Sequence, residues 1–148
     1  MSDTVQTVRL TQVLDYQFDV DFGAGLPPLH ADEPAPLGRG EGPSPVQLLA
    51  SSVGNCLSAS LLFALRKFKQ RPDPIRCEVG AEVGRNAEGR VRVLALRVRL
   101  KLSTRAGELE HLDRVLAGFE SYCTVTQSVR EAIPVTVSVE DAEGTPLK

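Results

Sequence analysis

Twenty consecutive residues without a formal charge, Val46 to Leu65, lie inside a chain that is otherwise 24% charged. A run of that length is about enough to span a bilayer, so its burial must be explained before anything else. Gln47, Ser51, Ser52, Asn55, Ser58 and Ser60 are scattered around it, and no aromatic belt marks its ends. It therefore reads as a helix buried inside a protein or between two subunits, with no membrane as partner. Its start is well marked. Ser44 can cap, Pro45 suits the first helical position, and Gln47 completes a capping-box spacing. The helix should run from Pro45 to about Lys69. There Arg66, Lys67, Lys69 and Arg71 complement the dipole, and Pro72 and Pro74 forbid continuation.

Strand signals flank this helix. From Val8 to Phe22 the even positions are mostly apolar and the odd ones mostly polar, the mark of a half-buried strand or hairpin, with a bend or turn expected near Gln12 to Asp15. Residues 23–43 are dense in Gly and Pro and read as turn and loop, with one short extended piece near Pro28 to Asp32. After the helix, Ile75 to Val83 and Leu94 to Leu102 alternate as two antiparallel strands joined by RNAEGR. Val91 and Val93 fall on the opposite parity, which predicts a bulge near Val93–Leu94. A second helix is expected from about Ala106 to Glu120 and a short third from about Val125 to Glu131, then the strand PVTVSVED. The expectation is an α+β fold in one domain spanning residues 1–148.

A net charge of −2 gives no electrostatic reason to expect nucleic acid, and there is no Trp and only five Phe and two Tyr for base stacking. The start MSDTVQTVRLTQ lacks the basic-then-apolar pattern of a secretory signal, and three cysteines without one point to free thiols in the cytoplasm. His30 and His111 lack the companions of a metal site, and His111 reads as a solvated helix residue. GRGEG lacks the Lys-Ser/Thr of a phosphate loop, and no CxxC suggests a general disulfide oxidoreductase.

Cys56 and Cys123 carry the chemistry. By default a cysteine is a small buried hydrophobe, and Cys77, sharing a strand face with Ile75 and Val79, is read so. A cysteine attacks only as thiolate, of which an ordinary thiol holds about 3% at neutral pH. Cys123 stands at the start of the third helix, whose N–H groups should depress its pKa. Cys56 lies about ten residues, roughly 15 Å, inside its own helix and needs a cation instead. Arg9 and Arg39 are the candidates, with Glu41 beside Arg39 in the Gly-rich loop.

The run GPSPVQLLASSVGNC, followed by an uncharged helix and by CTVTQSV with its cysteine 67 positions after Cys56, resembles the OsmC/Ohr family, the osmotically inducible and organic hydroperoxide resistance proteins. The likeness covers Gly42 to Val139, and the GPSP form points to an OsmC-like branch. It implies an intertwined homodimer with long central helices at its interface, and a thiol peroxidase acting on organic hydroperoxides in oxidative stress defence. Cys56 would attack the peroxide, Cys123 would close a disulfide with it, and a dithiol, of lipoyl type in the family, would restore both. No cofactor or metal is implied. The family's Cys-Pro-Val-Ser appears here as Cys123, Thr124, Val125 and Thr126, and Val46 replaces the Glu that pairs with an activating Arg. That replacement favours a rival: a non-catalytic dimer holding a small apolar ligand.

Overall fold

The computed structural model describes residues 2–148, which form two compact units, one ending at Leu48 and the other running from Leu49 to Lys148. In the first unit β1 (Arg9–Leu14), β2 (Gln17–Asp21) and β3 (Leu29–Ala31) make an antiparallel sheet in that order. The turn falls at Asp15–Tyr16, with Asp15 at a φ of 50°. The alternation is present, but it does not bury a face. Val20 is buried, whereas Leu10, Leu14, Phe18 and Phe22 stay exposed, and all six β1 residues face solvent. Three short strands supply no second layer of their own to cover an apolar side.

Asp32 organises the loop that follows. Its buried carboxylate accepts the N–H groups of Glu33 (2.8 Å), Arg39 (3.1 Å) and Glu41 (3.1 Å). Burial alone would raise this carboxyl's pKa, but those amides and the Gln17 side chain hold it below the usual range. Gly42 is obligatory, since a Cβ there would meet the His30 carbonyl oxygen at 2.2 Å.

Helix α1 (Pro45–Lys67) starts as expected: the Ser44 Oγ accepts the Gln47 N–H (3.2 Å) and the Gln47 Oε1 accepts the Ser44 N–H (2.9 Å). In the second unit its stripe Val53, Leu57, Leu61 and Leu65, fully buried, forms the core with Leu96, Val98, Leu100, Leu102 and Phe119. The core sheet is β4 (Arg76–Arg85), β5 (Val91–Lys101) and β6 (Val135–Glu140), with β5 central, antiparallel to β4 and parallel to β6. Glu82 pairs Ala95 and Val83 pairs Val93, so Leu94 is the extra residue of the expected bulge.

The expected helix Ala106–Glu120 is broken. A 3-10 turn at Ala106–Glu108 gives way to α2 (Leu112–Gly118), and a second 3-10 turn, Phe119–Tyr122, leads into α3 (Thr124–Val129). Two things stop a continuous helix. Leu109 turns to extended backbone (φ −108°, ψ 130°), and His111 adopts a left-handed φ of 57°. His111 is thus exposed, but it caps α2 with its ring 4.6 Å from that of Phe68 rather than sitting within a helix. Leu112, Leu116 and Phe119 still reach the core.

Candidate functional site

Cys56 projects from the middle of α1, half-buried against the core, and Cys123 is the fully buried residue that caps α3. Residues 67 positions apart are brought together in the second unit, where Cys56 stands close enough to Cys123 to influence its ionisation. The Cys123 Sγ also lies 3.0 Å from the Thr126 Oγ1, itself fully buried.

The electrostatics of Cys123 run opposite to expectation. Burial is the largest influence and pushes its thiol up; the neighbouring Cys56 adds to that, and the Thr126 hydroxyl and amide offset it only in part. The net direction is upward because the sulfur has left water altogether. Cys123 therefore keeps its proton, which it donates to the Thr126 hydroxyl oxygen. A thiol that stays protonated suits the waiting role rather than the attacking one.

Cys77 is corrected too. It is exposed, because β4 is a sheet edge, although its thiol hydrogen-bonds Ser58 and burial raises its pKa. Gly54 makes that approach to α1 feasible: a Cβ there would stand 2.7 Å from the Val79 Cγ2 and 3.2 Å from the Cys77 Sγ.

The proposed activating residues all lie in the first unit and have partners there. Arg9 is on exposed β1 opposite Asp21. The Arg39 guanidinium is 3.7 Å from Asp15, and the Glu41 carboxylate accepts the Gln17 amide. In the second unit Glu120 gathers the charge near Cys123: Arg130 donates to its carboxylate at 2.9 Å and Lys148 also pairs with it. Burial would raise the Glu120 carboxyl, but these two cations hold it below its ordinary range.

Sequence reasoning passed over Thr126 and Glu120. Thr126 had a signal, since a side chain three residues past a cap faces the cap. Glu120 had none, because its partners lie ten and 28 positions away across irregular chain. A cleft of about 490 Å³ runs between α1 and α2, lined by Phe63, Phe68, Phe119, Tyr122, Lys67 and Arg114 among others.

Solved structures share this architecture at low sequence identity. An OsmC-like protein of unknown function from Vibrio cholerae is similar over 93% of this chain and 99% of its own, with a TM-score of 0.78 and 15% identity. An organic hydroperoxide resistance protein from Elizabethkingia anophelis covers 95% of this chain and 99% of its own (TM-score 0.73, 15% identity). One from Bacillus subtilis covers 90% and 98% (TM-score 0.69, 14% identity). No curated protein matches the sequence. The α+β architecture is therefore the OsmC-like fold, and because the OsmC-like protein family model matches residues 38–138, more than half of the chain, the protein belongs to that family.

Proposed function

We propose that this chain is a thiol-dependent peroxidase of the OsmC/Ohr type, an oxidoreductase that reduces organic hydroperoxides in the cytoplasm as a homodimer. The observation that carries the reading is that Cys56 lies beside the fully buried Cys123, close enough to push that thiol's pKa upward. In the first step the Cys56 thiolate attacks the terminal peroxide oxygen. The O–O bond breaks, the alkoxide takes a proton to leave as alcohol, and Cys56 becomes a sulfenic acid. In the second, Cys123 sulfur attacks that sulfenic sulfur, and the hydroxyl leaves as water on closing the disulfide. An external dithiol, of lipoyl type in this reading, then takes up oxidation and restores both thiols. Arg9 or Arg39 is the proposed cation for the departing alkoxide, with Glu41 in the place of the family's Arg-pairing Glu. Organic hydroperoxide resistance proteins from Elizabethkingia anophelis and Bacillus subtilis share the fold, which supports the stress-defence reading.

The check is steady-state consumption of cumene hydroperoxide with a dithiol reductant. Wild type should outpace Cys56→Ser by about a hundredfold or more, as loss of a nucleophile requires. Equal, slow consumption by both would defeat the peroxidase reading and leave the rival. In that case the aromatic-lined cleft beside α1 would hold an apolar ligand without chemistry.

A further inference from the structure

The residues after Phe119 are held by more than their own helical bonds. The Glu120 carbonyl accepts the Cys123 N–H (3.0 Å) and the Gln127 Nε2 (2.9 Å), so the thiol-bearing residue and the one a turn after it meet at one oxygen. The Glu120 carboxylate, only 16% exposed, receives Arg130 from the far end of α3 at 2.9 Å, and Arg130 also reaches the Val135 carbonyl at the start of β6. Lys148 closes the ring, pairing with the same carboxylate while donating to the Leu116 carbonyl at 2.9 Å, with its ammonium 5.3 Å from the Phe119 ring centroid. Helix α3 is six residues long and too short to hold its own geometry in water. These bonds tie the end of α3 that carries Arg130 to the segment just before Cys123.

We infer that Glu120 is a positioning residue for Cys123: its carboxylate, paired also with Lys148, holds Arg130 at the far end of α3 and so sets the rate at which Cys123 closes on Cys56. The inference rests on the proposed Cys56/Cys123 pairing, but not on peroxide being the oxidant. A charged, largely buried cluster of this kind orients its neighbours because breaking one partner leaves the others unpaired.

The test separates the two claims by using two oxidants on the reduced full-length protein. Diamide takes two electrons and two protons from the thiol pair, its N=N bond becoming a hydrazine, and reports closure alone. One equivalent of cumene hydroperoxide with dimedone present reports whether Cys56 sulfenic acid is trapped before Cys123 reaches it. Glu120→Gln should slow diamide-driven closure on the order of tenfold, the cost of a misplaced reacting group, and raise the dimedone adduct at Cys56. Its first-turnover peroxide consumption should stay at the wild-type rate, which a general loss of structure would not permit. Closure within twofold of wild type overturns the inference. If Glu120→Gln does not fold, Arg130→Ala and Arg130→Lys decide: slow closure in the first with recovery in the second supports it, and wild-type closure in both overturns it. Wild type that closes with diamide yet ignores the hydroperoxide would remove the peroxidase reading while leaving Glu120 in its role.

Discussion

Thr126 shows how one hydroxyl sets the ionisation of a neighbour. Its Oγ1, 3.0 Å from the Cys123 sulfur, stabilises the thiolate, so it opposes the upward push of burial. The sign follows directly: taking the hydroxyl away removes a downward influence, and the Cys123 pKa rises further. In a Cys56→Ser background, Thr126→Val should move the appearance of Cys123 thiolate absorbance to higher pH. It should also cost about 1 kcal/mol of stability, since a buried S–H loses a partner. An unmoved titration curve would mean that the contact is packing only. The sequence made both cysteines conspicuous and even gave Thr126 a capping spacing. It could not reveal that Cys123 would be sealed from water, and that burial inverted the expected direction of its pKa.

Among the elements, α1 was the most readable, because its caps, its lack of charge and its terminating prolines all agree. β4 and β5 were nearly as clear, down to the extra Leu94. The segment 106–122 was not. Its apolar spacing suits a helix, but the Asp141 carboxylate that anchors its first N–H comes from 35 positions away, and the left-handed turn at His111 breaks it where no apolar pattern announces a break. The meeting of α1 and β4 offers a quantitative check. Gly54→Ala gains about 1 kcal/mol of helix propensity, yet its Cβ would stand 2.7 Å from a stiff Val79 methyl, and overpacking costs about 1–3 kcal/mol. The clash should win, lowering the urea midpoint, and Gly54→Ala combined with Val79→Ala should recover part of the loss. A stabilised single variant would show that α1 can retreat from the sheet.

For the molecule as a whole, the exposed apolar surface points to a partner. In the first unit Leu10 is 60% exposed, and Val8, Leu14 and Phe22 are exposed beside it; in the second Phe63 is 65% and Tyr122 78% exposed. Exposed apolar side chains of this kind are the surface a second copy of the chain would cover. Sedimentation velocity should find a species of twice the 16.0 kDa chain at micromolar concentration, and Phe63→Glu should shift it toward the single chain. A wild type that sediments as one chain would refute the homodimer. The parallel pairing of β5 with β6 has one more effect. Parallel neighbours cannot be joined by a hairpin, so a long excursion between Lys101 and Val135 is imposed by topology before any chemistry is asked of it. The second sulfur, Cys123, rides on that compulsory detour, so its surroundings are set by irregular chain rather than by the register of the strands on either side.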